Sequence, residues 1–449
     1  MKHAMSHGKL ICLAFVLAAL CQSAAAQDPG PIATPELFEL DLELGLEYSD
    51  NRARTSPRGA SETALVPRAI LDVYRSGDRM TLRAAGHAEQ RVPLHGPFGN
   101  DFFANLGARL NWHLVEERLD WVVENVASGS PVDLSGQITP ENRQQTNVFS
   151  TGPRWVLRPA AAWSGLFDAR YIHSYAEDSD AFNSDRLALA ARAVRRLRGG
   201  RQISAGVEAS EVRYRQDEFS AADYQRLDLV GRYRSTRNDF DLDLAGGRTR
   251  IDLDRGIRLE DNLLRARLIW NVDHRHTLVA SAGHELSDSV RQLAAGIDQI
   301  DLPILFNQRF RTDAEFRTGN EIYVLDSIAL GWRSRIGTLD GSVHVAWRDY
   351  QFELEPLLDV EEHGAAVGLT WRMAATMALE GGLGLERRRF RIEDQRDTDL
   401  WASLFLTRQL NPRWSGRVGA MRHQRDSNII GESSRGNVVA VYLTYHAGR

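Results

Sequence analysis

The residues that could do chemistry are few. His284 and Glu285 open an H-E-x-x-H pattern, in which two histidines four apart bind zinc and the glutamate acts as base. Position 288 is Asp288, so the pattern fails. His274 and His276 flank Arg275 in a turn-like stretch and read as a solvated turn. Gly381-Gly382-Leu383-Gly384 lacks the spacing of a dinucleotide loop and reads as a glycine-flanked strand. Glu177, Asp178, Asp180 and Asp185 in AEDSDAFNSD supply oxygens of the kind that bind Ca²⁺ or bridge lipopolysaccharide phosphates through cations. An ordinary polar loop is the stronger reading. There is no G-x-S-x-G elbow, and no lysine beyond Lys9 to build a P-loop. The chain is therefore expected to be no enzyme and to hold no cofactor or metal.

The densest chemistry is electrostatic. Leu37 to Asn51 reads LFELDLELGLEYSDN. Leu40, Leu42, Leu44, Leu46 and Tyr48 alternate with Glu39, Asp41, Glu43, Gly45 and Glu47. Side chains of a strand point alternately to its two faces, so one face here is greasy and the other charged. The same alternation places Arg109, Glu208, Arg265, Arg267, Arg333, Arg335 and Glu380 on polar faces, with Glu211, Arg213, Asp241, Asp243, Glu386 and Arg417 beside them. Unpaired charge in hydrocarbon is costly, so these groups must line water or pair with each other. They fit either a channel for polar solutes or ion-paired ladders that hold a wall together.

The elements that would position them are strands. RMTLRAAGHAEQR (79–91), LRARLIWNV (264–272), YVLDSIALGWRSR (323–335), GAAVGLTWRM (364–373) and NVVAVYLTYH (437–446) each run about ten residues, enough to cross a membrane tilted. Tight turns at 76–78, 115–118, 198–201, 236–239, 273–276, 336–338, 374–376 and 411–413 alternate with long polar connections, the longest over 287–322. Short turn, long loop is the rhythm of an outer-membrane barrel. The expected fold is all-β: an up-and-down transmembrane barrel of about twenty antiparallel strands spanning 37–446, with 287–322 as a possible plug. Trp112, Trp121, Trp155, Trp163, Trp270, Trp332, Trp371 and Trp414 lie near the short turns, as an interfacial aromatic girdle would. Trp347 and Trp401 sit farther along their strands.

The first residues predict the compartment. Lys2 and Lys9 flank an approach to the apolar run LICLAFVLAALC, and Ala24-Ala25-Ala26 offers a cleavage site. This is the order of a secretory signal peptide over 1–26, followed by a short periplasmic lead over 27–36. Leu20 before Cys21 argues against a lipoprotein. Removing the two lysines leaves 53 basic residues, all arginine, against 60 acidic ones. That balance excludes nucleic acid, which needs a basic stripe. Both cysteines, Cys12 and Cys21, fall inside the signal, so no disulfide is expected.

The stretches GLEYSDNRARTSP, RLDWVVENVASGSPVDLSGQ and FDARYIHSYAEDSDAFNSDR resemble the outer-membrane barrel proteins associated with PEP-CTERM/exosortase exopolysaccharide systems, and the broader β-barrel porin family near them. The resemblance implies an outer-membrane location and a neighbourhood concerned with surface polysaccharide; it carries no assigned activity. The chain departs from the usual barrel ending, since Tyr445 is followed by His446, Ala447, Gly448 and Arg449. Three functions are in view: a porin-like channel linked to polysaccharide export, a closed structural or anchoring barrel in an export complex, and, last, a rim enzyme acting on lipid or polysaccharide. The expected surroundings are outer-membrane lipid and lipopolysaccharide, with polysaccharide or export proteins as further partners.

Overall fold

The computed structural model describes residues 37–54, 59–135, 142–295 and 318–448. The signal peptide and periplasmic lead lie outside them. Twenty strands follow one another: β1 (Leu37–Ser49), β2 (Glu62–Ser76), β3 (Met80–His95), β4 (Asp101–Val115), β5 (Leu119–Pro131), β6 (Arg143–Ala160), β7 (Trp163–Ala176), β8 (Ser184–Arg196), β9 (Arg201–Tyr214), β10 (Tyr224–Thr236), β11 (Phe240–Leu253), β12 (Arg258–Asn271), β13 (His276–Asp288), β14 (Ile322–Ile336), β15 (Leu339–Phe352), β16 (Val360–Ala374), β17 (Met377–Phe390), β18 (Arg396–Asn411), β19 (Trp414–Ser427) and β20 (Ser434–Ala447). Each pairs antiparallel with the next. β1 also pairs with β20, from Leu40 opposite Ala447 to Ser49 opposite Val438, and this closes the barrel. The expected fold class, a transmembrane antiparallel β-barrel of twenty strands, is the observed one.

Period-two patterning explains the two faces. In β1, Leu42, Leu44, Leu46 and Tyr48 stand exposed on the outside, while Glu43 and Glu47 are buried inside. Gly45 is the one inward position of that run without a charge, because the Tyr442 ring lies over it: a Cβ there would sit 2.6 Å from Tyr442 Cδ1. The strands run from 13 to 18 residues, longer than a membrane crossing needs. Their upper ends therefore stand clear of the apolar belt.

Connections after even-numbered strands are tight. The Arg198-Gly199-Gly200-Arg201 turn needs left-handed backbone at both glycines, with φ of 72° and 71°. The β6–β7 turn, at Ala161-Ala162, carries no turn-forming residue type and gave no sequence signal. Leu37, where β1 begins, and Ala447, where β20 ends, lie at this same end of the barrel.

At the opposite end the wall is not uniform. β12 and β13 pair only from Asn271–Thr277 up to Leu264–His284. Above that level β12 stays with β11, and β13 stays with β14. The Leu286 carbonyl accepts a hydrogen bond from Arg226 Nη1 of β10 at 2.8 Å. Leu286, Ile322 and Val324 pack on Val212, Tyr214, Tyr224, Ile251 and Leu253 of β9 to β11. The top of the β13–β14 hairpin thus leans into the barrel. Burial of that many apolar side chains, at roughly 25 cal/mol per Å², favours the inward bend.

Candidate functional site: a closed outer mouth above a charged lumen

The connection leaving β13 begins with a helix, α1 (Ser289–Ala295). Asp288 caps it: its Oδ1 accepts from the backbone N–H groups of Val290 and Arg291, at 3.0 and 3.1 Å. The same carboxylate is held by Arg186 of β8, at 2.8 Å, and by the Tyr224 hydroxyl of β10, also at 2.8 Å. From this anchor α1 reaches across the lumen. Val290 and Leu293 pack with Val126, Val148 and Ala176 of β5 to β7 and with Phe182. Those strands are six to eight positions around the wall from the strand that launches the helix. Arg291 lies 3.3 Å from Asp228 of β10 and 3.6 Å from Glu208 of β9. On the other flank Gln292 donates to the Tyr350 hydroxyl at 2.9 Å and accepts from Tyr323.

A second loop crosses the other way. Leu134, after β5, packs with Tyr323, Tyr350, Phe352, Val360 and Phe390 of β14 to β17. The Ser135 carbonyl accepts from Gln395 Nε2 at 2.8 Å and from Arg425 Nη2 of β19 at 3.0 Å. The returning limb of the long connection is pinned as well: Gln144 Nε2 of β6 donates to Thr318 Oγ1 at 2.7 Å. Two loops from opposite walls therefore meet in the mouth. The sequence singled out 287–322 as the candidate plug; its first two residues belong to β13, 289–295 form the crossing helix, and 296–317 lie outside the described residues. The second crossing loop was read only as a polar connection.

The charges sort by depth. At the mouth they are dry: Arg186, Arg226, Asp228, Asp288, Arg388, Asp397 and Arg425 are all buried. Arg226 bonds Asp228 at 2.8 Å, and Arg388 bonds Asp399 at 2.6 Å. In the half nearer the short turns some arginines are open to water and others, such as Arg170 and Arg417, are not. Arg232 and Arg234 of β10 reach Asp243 and Asp241 of β11, the second pair at 2.9 Å, with side chains 42% and 48% exposed. Asp168 serves three arginines, Arg154 at 2.7 Å and Arg170 and Arg192 at 3.0 Å.

The sequence-derived lining residues distribute as follows. Glu43 bonds Arg68 at 2.7 Å and lies 3.5 Å from Arg417. Glu47 bonds Arg91 at 2.7 Å and accepts from the Tyr442 hydroxyl at 2.6 Å. Asp41 meets His446 Nδ1 at 2.6 Å, so the residue after Tyr445 helps close the seam. Glu39 lies exposed at the start of β1. Arg109 bonds Glu124 at 2.7 Å, and Arg265 pairs with Glu285. Arg333 and Arg335 share Asp340 at 2.7 and 3.2 Å. Glu380 accepts weakly from Thr407 Oγ1 at 3.4 Å. Arg267 has no ion pair or side-chain hydrogen bond among the described residues, and its Nε is shielded from solvent. Glu211 and Arg213 depart from the expectation: they pair with each other at 2.5 Å on the face opposite Glu208, because three residues put Glu211 on the other side of β9 from Glu208.

All eight turn-proximal tryptophans stand outward and exposed, between 38% and 54%. Several form a continuous row: Phe240 pairs with Trp270, Trp270 with Leu278, and Leu278 with Trp332. Trp112 pairs directly with Trp121. Trp401 instead lies on the inward face of β18 with Asp399 and Phe405, its ring over Gly384.

Among the described residues no three acidic, histidine or cysteine side chains converge as a metal site. His284 sits between Asp326 and Asp261, at 2.7 and 3.3 Å. Asp185 of β8 holds His173 and Arg215.

Sequence alone missed Asp228, Asp288, Arg291 and Gln292. One signal was available: Asp288 precedes Val290 and Leu293, an N-cap followed by an i, i+3 apolar pair.

No family model matches the chain, and no curated protein matches it. Among solved structures it is similar to the ferric enterobactin receptor PfeA of Pseudomonas aeruginosa (10% identity, 93% of this chain and 81% of that one, TM-score 0.45). It is similar also to the siderophore receptor PirA of the same organism (10%, 93% and 81%, TM-score 0.42). A third is the FrpB iron transporter of Neisseria meningitidis (9%, 91% and 81%, TM-score 0.43). No function follows for this chain from likeness at that level. Its own belt, girdle and closed ladder define the class: an outer-membrane type β-barrel whose outer mouth is filled by its own loops.

Proposed function

We propose that the protein is a porin-like channel of the outer membrane, held shut at its outer mouth and able to open by withdrawal of α1. One observation carries this reading: among the described residues the plug rests on the far wall through Val290, Leu293 and the partly buried Ala294, and on ion pairs through Arg291. Val290 and Leu293 each contribute roughly 1.5–3 kcal/mol, which makes a reversible closure rather than a permanent core. The wet, charged lumen beneath it supports passage of polar solutes. Delivery by a cleaved signal peptide, a surround of lipid and lipopolysaccharide, and service to surface-polysaccharide export belong to the same proposal, the last resting on the sequence resemblance. The dry ion-paired mouth also favours a second reading, a closed structural barrel.

Planar-bilayer conductance of the refolded mature protein separates the two. The wild type is compared with variants lacking 289–321, lacking 133–141, and lacking both. Large steady steps in the double deletion, with rare openings in the wild type, support the channel. Silence from a double deletion that still migrates as a heat-modifiable barrel supports the structural reading.

A further inference from the structure

The lower lumen has a sign. Among the described residues, three of its inward arginines have no carboxylate in ion-pair range and five more share two. Asp168 is shared by Arg154, Arg170 and Arg192. Asp340 is shared by Arg333 and Arg335. Arg196, at the foot of β8, and Arg372, at the foot of β16, take the same inward register as Arg186 and Glu362, stand exposed, and have no carboxylate in ion-pair range among the described residues. Arg267 likewise has none, and its shielded Nε lacks an acceptor. Against them stand Glu39, exposed at the foot of β1, Asp41 and Asp120, which meet His446 and His113, and Glu380, with one carboxylate oxygen unpartnered. The surplus is the more telling because the whole chain is acidic, with a formal net charge of −5.

Position matters as much as number. At the mouth, charges are matched and dry. Along the lower half the arginines without a carboxylate occur on β8, β12 and β16, within one side of the wall, and Arg196 and Arg372 stand open to water. A guanidinium cannot be neutralised by losing its proton, so an unpaired one inside a narrow wet lumen leaves a fixed positive potential. Rings and rows of such charges select the counter-ion in pores.

From this we infer that the solute of this channel is an anion, carrying carboxylate, phosphate or sulfate groups, and that Arg196, Arg267 and Arg372 attract it along the lower lumen. The inference rests on the channel reading. Its test uses the barrel lacking both crossing loops, refolded and placed in a planar bilayer under a KCl gradient. Low salt is used, since screening over about 10 Å at 0.1 M weakens the effect. The expected result is a reversal potential of the sign that gives chloride a higher permeability than potassium, moving toward zero when Arg196→Gln, Arg267→Gln and Arg372→Gln are combined. A permeability ratio at or below one, or a ratio unmoved by the triple variant, overturns the inference and leaves the channel reading standing. A heat-modifiable barrel that does not conduct overturns both.

Discussion

Single side chains set the strength of the closure. Asp228 is buried, accepts from Arg226 at 2.8 Å and from the Thr249 hydroxyl at 2.5 Å, and lies 3.3 Å from Arg291. Replacing Arg291 by Ala leaves Asp228 two partners, Arg226 and Thr249, so the cost falls below that of orphaning a buried charge. We expect Arg291→Ala to cost the closed mouth about 1–2 kcal/mol, roughly tenfold in the open fraction seen by single-channel recording. An unchanged open fraction would show that the Arg291 ion pairs do not hold α1 in place. Gly129 is a second sensitive point: a Cβ there would fall 1.7 Å from Phe103 Cε2. Gly129→Val should therefore lower barrel stability by about 1–3 kcal/mol, read as a lower temperature for loss of the heat-modifiable band. Adding Phe103→Ala should return part of it.

Elements decide what the environment sees. The short-turn end presents its tryptophans outward, while Trp401 points in. In variants keeping one tryptophan each, lipid-phase brominated quenchers should dim Trp270, Trp332 and Trp414 and spare Trp401. Equal quenching at all four would contradict the inward placement. The turn after β12 depends on Asp273, whose Oδ1 accepts from the backbone N–H groups of Arg275 and His276 at 2.7 and 2.8 Å. Those bonds hold its carboxyl below the usual carboxylate range. A depressed folded pKa stabilises the turn above the unfolded value, and that stabilisation is lost as pH falls through the folded one. Amide exchange at Arg275 and His276 should thus show loss of protection only below about pH 4, the ordinary aspartate value.

For the whole molecule, the two crossing loops act together. Removing 289–321 alone leaves Leu134 and Ser135 bridged to β14–β19. Conductance of that deletion should stay well under that of the double deletion; equal conductance would mean that the β5–β6 loop does not obstruct the path. The alternation of Leu and acid from Leu37 to Tyr48, the eight Trp positions and the turn rhythm determined the barrel, its inside and its outside, because a strand's period of two and the aqueous–lipid boundary act on local sequence. Which charges pair, and which arginines are left over, was decided only by register between neighbouring strands. Glu211 and Arg213 show the limit: one residue of phase moves a charge from lumen to rim. The plug was decided at still longer range. The pull of Val290 and Leu293 toward β5–β7, and of Leu134 toward β14–β17, joins residues far apart in the chain, and no local pattern encodes which wall a loop will reach.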